Sequence, residues 1–234
     1  MKQAFLLSIA SLWIALSGLA AAKVVGAQEP AKKIRVAVVP MLNTSEPRFP
    51  NVLRDAVRER TNRIASDWFR AAIVDADYEP AQEAEVTDAL SRLELDFSKD
   101  RQRSKENLAK LGKELGAAFV VLACVTACEQ RNAEGSAILG NLKGPQSRSK
   151  AEVRVWLLDA ASDRLILDGK AFTAEVGGPF FGTTRRSELS GNPQDVQYMI
   201  MHENKRRAEY IGKAAAAALY SGLGAIMGLK LVPK

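Results

Sequence analysis

Residues Ser104 to Thr126 read SKENLAKLGKELGAAFVVLACVT. In the first half Leu108, Leu111 and Leu115 recur at i, i+3 and i+7 with lysines between them, the spacing of an amphipathic helix. Ser104 is a natural N-cap, and Asn107 stands where a capping box would place Glu or Gln. Gly116 stops the helix, because the residue after a helix often needs the left-handed conformation that glycine takes without strain. The second half, Ala117 to Val125, is almost unbroken apolar sequence. A strand with one wet face alternates, so a continuous apolar strand is covered on both faces. A helix that passes through one glycine into a buried strand is an α/β unit, and it predicts a central strand with helices packed around it.

The rest of the chain is read outward from this unit. Ile34 to Pro40 (IRVAVVP) is a β-branched first strand, followed by a loop from Asn43 to Pro50. Asn51 caps a helix predicted to run to about Trp68, with Val52, Leu53, Ala56, Val57, Ile64, Ala65 and Trp68 at helical spacing. Phe69 to Asp75 (FRAAIVD) is short and apolar and reads as a second strand. Pro80 opens another helix, a first-turn position that proline favours, with Val86, Leu90 and Leu93 as its apolar stripe. Glu129 to Ser149 reads as a long irregular stretch. Lys150 to Asp159 alternates and returns through Arg164 to Glu175 as a hairpin. Gly177 to Pro193 is a second irregular stretch, and a last helix begins near Gln194 and runs towards Leu223. The predicted order is β-α-β-α-α-β-β-β-α: an α/β fold with a mixed β-sheet packed with helices, its early strands parallel and its late pair antiparallel.

The first residues carry an address. Lys2 precedes an uncharged apolar run from Ala4 to Leu19, and Val25-Gly26-Ala27 fits a small-x-Ala cleavage site. Residues 1–27 are read as a signal peptide and 28–234 as one domain, with a cut after Ala22 as the alternative. No cysteine follows the apolar run, so the expected product is exported, soluble and not lipid-anchored. Without Lys2 and Lys23 the chain holds 31 basic and 27 acidic residues, a net charge of +4. That modest excess favours weak attraction to anionic surfaces and does not identify a nucleic-acid binder. An exported chain with Cys124 and Cys128 invites a disulfide. On a straight strand their Cα atoms would stand roughly 13 Å apart, so a bridge requires the chain to turn between them.

Candidate chemistry is sparse. The one histidine, His202, sits in a polar helix beside Glu203 and reads as solvent-facing. The carboxylate pairs Asp75/Asp77 and Glu83/Glu85 fit turns and helix N-termini, which attract acids. Gly135 to Asn141 has the spacing of a phosphate loop but Asn141 replaces its lysine, and Gly222, Gly224 and Gly228 miss the dinucleotide spacing by one residue. No catalytic residue, cofactor or metal is assigned. Basic residues gather at Lys143, Arg148, Lys150 and Arg154, at Arg185 and Arg186, and at Lys205, Arg206 and Arg207. Phe180 and Phe181 stand beside the second group. Because Phe and Arg are enriched at interface cores, Phe180, Phe181, Arg185 and Arg186 are the candidate interaction surface; the alternative is that the two Phe side chains tuck into the domain. The sixteen uncharged residues from Ala214 to Leu229 are short for a membrane span and read as packing material.

Three motifs resemble one family. The opening strand IRVAVVPMLNTS (Ile34 to Ser45), the helix-to-strand step from Leu108 to Val125, and the hairpin VRVWLLDAASDRLIL (Val153 to Leu167) are similar to those of a bacterial envelope superfamily. It includes the curli secretion component CsgG, the penicillin-binding-protein activator LpoB and the TolB N-terminal domain. The motifs are structural, and the chain lacks the lipobox cysteine of CsgG and LpoB. The resemblance implies a noncatalytic envelope accessory protein, a protein-binding or assembly module with envelope protein partners and the option of a homo-oligomer. No nucleic-acid partner is expected, and membrane contact through the C-terminal segment is the less favoured reading. The alternative function is a periplasmic binder of a small ligand, peptidoglycan or anionic lipid through the two long loops; an enzyme is third.

Overall fold

The computed structural model describes residues 33–45, 51–133, 146–179 and 193–229. Their strands form one mixed sheet. β1 (Ile34–Val38) lies between β3 (Tyr78–Pro80) and β4 (Phe119–Ala133), parallel to both. β2 (Leu42–Asn43) continues the line of β1 along β4 after Pro40, also parallel. β4, β5 (Gln146–Asp159) and β6 (Arg164–Pro179) are antiparallel, giving the order β3-β1-β4-β5-β6. The mixed α/β sheet expected from the sequence is therefore present.

Two helices cover each face, as the continuous apolar run of β4 requires. Val121, Ala123 and Val125 pack towards α1 (Asn51–Asp75) and α4 (Pro193–Met227). Val120, Leu122 and Cys124 pack towards α2 (Glu83–Arg92) and α3 (Lys105–Leu115). The α3 caps are those read from sequence: the Asn107 amide donates to Ser104 Oγ at 3.4 Å, and Gly116 is left-handed at φ 59°. Ala214, Ala215, Ala218, Leu219 and Leu223 of α4 are fully buried against the sheet, so one face of the uncharged C-terminal stretch is packing material. Among the described residues no helix is long and apolar enough to cross a membrane.

Several expectations are corrected. Phe69 to Asp75 is the end of α1 and not a strand: Phe69, Ala72 and Ile73, at helical spacing, reach the core together. The second strand in the chain's expected order is Tyr78–Pro80, reached through Asp77 at φ 64°. Pro80 closes that strand rather than opening a helix; β3 is an edge, where a missing N–H is tolerated. α2 starts at Glu83, and the Gln82 amide donates to Glu85 Oε2 at 3.1 Å. Both described ends of the stretch from Glu129 to Ser149 are paired, since β4 runs on to Ala133 opposite Gln146; residues 134–145 lie outside the described set. Likewise Gly177, Gly178 and Pro179 are the end of β6, paired with Arg148, Ser147 and Gln146.

A β-bulge decides the fate of the cysteines. The β4–β5 register skips Thr126, whose hydroxyl donates to Glu152 Oε1 at 2.7 Å. A bulge residue without a partner shifts every later side chain to the other face. Cys124 therefore lies in the α2/α3-side core, while Cys128 pairs with Ala151 on the α1/α4 side, 3.3 Å from Ser45 Oγ. The two thiols are free. Past the bulge the α2/α3 layer ends, and Glu129, Lys150, Thr173 and Glu175 are exposed. There β4–β6 is an antiparallel blade with one solvated face, laced by an Arg148–Glu175 ion pair at 3.2 Å.

Candidate functional site

α1 and α4 run parallel. The Thr61 hydroxyl donates to the Ala208 carbonyl at 3.5 Å, and four residues on, Gly212 lets Ile64 approach: a Cβ added there would stand 2.8 Å from Ile64 Cβ. One turn further the helices present larger side chains and a cleft of about 590 Å³ opens. α1 contributes Asp67, Trp68, Ala71, Ala72 and Asp75 to its walls. α4 contributes Tyr210, Lys213, Ala216, Ala217 and Tyr220, and the end of β6 contributes Val176 and Gly177. The volume lies in the roughly 300–1,000 Å³ range of ligand pockets, with mainly apolar walls and few polar groups, the usual composition of such sites. Trp68 is 39% exposed, a large apolar residue that the fold leaves at the surface.

The polar groups are unevenly placed. Lys213 Nζ bonds Glu209 Oε1 at 2.8 Å and lies 5.0 Å from the Tyr210 ring centroid and 6.0 Å from that of Trp68. The Lys213 hydrogen bond, joined by the charges of Lys213, Arg60 and Arg206, holds the Glu209 carboxyl below the usual carboxylate range. At the other end burial and the nearby Asp75 carboxylate push the Tyr220 hydroxyl up, and its oxygen is buried with no hydrogen-bond partner among the described residues.

Nothing in this arrangement resembles an acid–base centre. Among the described residues the carboxylates with displaced titration, Asp96, Glu106, Asp159 and Glu209, are all shifted downward, chiefly by hydrogen bonds that favour the ionised form. Three of them serve turns or a helix start: Asp96 accepts from the Ser98 hydroxyl and amide, Asp159 from the amides of Ala161 and Ser162, and Glu106 opens α3. Among the described residues no three His, Cys, Asp or Glu side chains are grouped as metal ligands.

Phe180, Phe181, Arg185 and Arg186 lie outside the described residues, as do the near-miss phosphate loop and residues 1–27. Val176 and Gly177, among the last described residues before Phe180, line the cleft. His202 is exposed on α4, and Glu85 is occupied by Arg35 at 2.5 Å. Of the carboxylate pairs only Asp75 reaches the cleft. Sequence reasoning assigned Trp68 to the core and Ala217 and Tyr220 to the packing stretch, and passed over Tyr210 and Lys213, although the spacing of these four α4 residues marks a second stripe.

The chain is similar to several solved structures. One is lipoprotein GNA1162 from Neisseria meningitidis, at 18% identity over 75% of this chain and 98% of that one, with a TM-score of 0.39. Another is the hypothetical protein CT253 from Chlamydia trachomatis, at 14% identity, 79% and 99% coverage and a TM-score of 0.35. A third is the LpoB C-terminal domain from Escherichia coli, at 12% identity, 66% and 90% coverage and a TM-score of 0.30. LpoB is one of the proteins that the strand, helix and hairpin motifs resemble. No protein-family profile and no curated protein sequence matches the chain. These three TM-scores are below 0.5, and the functional reading rests on the cleft.

Proposed function

We propose that this chain is an exported, noncatalytic accessory protein of the cell envelope that works by binding, as a protein-binding or assembly module. The observation that carries the reading is the cleft: an open, mainly apolar recess between two helices that are otherwise locked together, with Trp68 exposed at its wall. Exposed aromatic side chains beside small residues are the composition of a contact surface, with rings as anchors and alanines leaving room for what they hold. The segment bearing Phe180, Phe181, Arg185 and Arg186 follows directly on Gly177 at the cleft's edge, and we include those four residues in the contact surface.

The test compares the mature protein, beginning at Gln28, with Ala217→Arg, which fills the cleft, and with Phe180→Ala/Phe181→Ala. Each is used as bait in envelope extract after a thermal melt has shown it folded. The expected result is an envelope protein held by the parent chain and weakened by about 2 kcal/mol or more in both variants, the level of a hot spot. Equal capture by all three would sink the cleft reading. A sharp fall in melting temperature for the double Phe variant would place those rings in the core.

A further inference from the structure

The two edges of the sheet are built differently. At one edge β3 is three residues long and ends in Pro80, which has no N–H to offer; a short edge closed by proline gives another strand little to pair with. β6 is the opposite edge and runs for 16 residues, and among the described residues no strand pairs with its outer side. Its first half is irregular: the β5–β6 register shifts on both sides of Leu157, and Gly169 is left-handed at φ 61°. Such bulges twist an edge away from intruding strands. From Lys170 onward the register is unbroken, opposite Val155 back to Gln146. This straight part carries Phe172, Thr173 and Val176, residue types that suit a strand, between small alanines. A straight run of unpaired N–H and C=O groups is a template for one more strand.

We propose that this part of β6 pairs antiparallel with β6 of a second copy of the chain, about a two-fold axis through Thr173. The side chains on both faces set the register. On the α1/α4 side the half-buried Phe172 lies under α4 at Gly222, where an added Cβ would stand 2.6 Å from Phe172 Cδ2. The axis sets it opposite Ala174 of the second copy, large beside small, twice over. On the other side Ala171 lies opposite Arg154 of β5. Arg154 is exposed and, among the described residues, makes no hydrogen bond or ion pair. Ala171 is too short to cover it. The axis brings Glu175 of the second copy opposite Ala171, two strand spacings or roughly 9–10 Å from the Arg154 backbone, a gap that these two long side chains span. Glu175 Oε1 accepts from Arg148 at 3.2 Å, and Oε2 has no partner among the described residues. Symmetry makes the Arg154–Glu175 pair twice. An axis through Ala174 would instead bring Glu175 opposite Thr173, beside Glu152 of β5. An axis through Phe172 would set two Phe172 rings against each other and carry Glu175 to Gly169, where the strand is kinked. The pairing does not depend on what the cleft binds.

Sedimentation of the mature protein over a concentration series tests the pairing, and the expected result is a monomer–dimer equilibrium. Arg154→Glu places like charges at both contacts and should weaken the dimer by about tenfold or more; Glu175→Arg should do the same. An equimolar mixture of the two variants restores both opposite-charge pairs in the heterodimer and should recover the parent's affinity, which no folding defect could mimic. Thr173→Cys should form a disulfide-linked dimer on mild oxidation, because residue 173 meets its own copy at the axis. Ala171→Cys should not, since its counterpart would stand about 13 Å away. The parent chain, with Cys124 and Cys128 in place, controls for its own thiols. A protein that stays monomeric throughout the series would overturn the proposal. So would a mixture that dimerises no better than its components, or a dimer that survives Arg154→Glu and gives no crosslink through Thr173→Cys. Crosslinking through Ala171→Cys instead would move the axis away from Thr173 and overturn it as well.

Discussion

Gly212→Ala sets two effects of opposite sign against each other. By helix propensity alone, alanine in a helix interior should gain about 0.8–1.0 kcal/mol over glycine. Gly212, however, is where α4 touches α1. The new Cβ would stand 2.8 Å from Ile64 Cβ, 2.9 Å from Ile64 Cγ2 and 3.2 Å from the Thr61 carbonyl oxygen. None of these is the free end of a flexible chain. The Cβ is bonded to the backbone, the Cγ2 belongs to a β-branched side chain with little χ1 freedom, and the oxygen is main chain. Relief requires the helices to part, which strains the Thr61–Ala208 hydrogen bond on one side and the Trp68–Lys213 contact on the other. Overpacking of this kind costs ~1–3 kcal/mol, and the absence of an escape route puts this site in the upper half of that range. The net expectation is a loss of about 1–2 kcal/mol, or roughly 2–8 °C in melting temperature for a domain of this size. Urea unfolding and a thermal melt measure it. Gly224→Ala is the control: its nearest contact is the Tyr220 ring at 3.3 Å, so propensity should win and the protein should hold steady or gain up to about 1 kcal/mol. A Gly212→Ala protein as stable as its parent would refute the claim that this contact locks the cleft's two walls.

Three further outcomes are expected. Leu115→Ala should cost about 2–5 kcal/mol in denaturant unfolding, because Leu115 is buried where α3 meets the sheet; a loss under about 0.5 kcal/mol would mean that the stripe is not packed. Asp96 should titrate at about 2 by NMR, and Ser98→Ala should raise that value by removing the largest stabiliser of the carboxylate. Its folded-state pKa lies below the usual 3.8, so its contribution to stability is full above that pH and fades as the pH falls towards about 2. Mass spectrometry after alkylation under denaturing conditions should find two free thiols per chain; in the native protein Cys128 should react first but slowly, since burial raises its pKa, and Cys124 only on unfolding.

What the sequence determined by itself is the part carried by local periodicity. Leu108, Leu111 and Leu115 between Ser104 and Gly116 are enough to specify α3 and both its caps, because capping and amphipathic spacing are short-range. The unbroken run of β4 likewise required helices on both faces, and the α/β order followed. Tertiary structure had to decide wherever a local signal was compatible with two outcomes. FRAAIVD is short and apolar enough for a strand or two helical turns; the core lay on the helical side, and the strand role passed to Tyr78–Pro80. The two cysteines have the spacing of neighbours on one strand face, and only the unpaired Thr126 sends them to opposite faces. The cleft was out of reach for the same reason in stronger form. It exists because Thr61 and Ala208, 147 residues apart, meet across a glycine that lets two helices touch. Trp68, Lys213 and Tyr220 become a site only through that contact, and no window of sequence contains it.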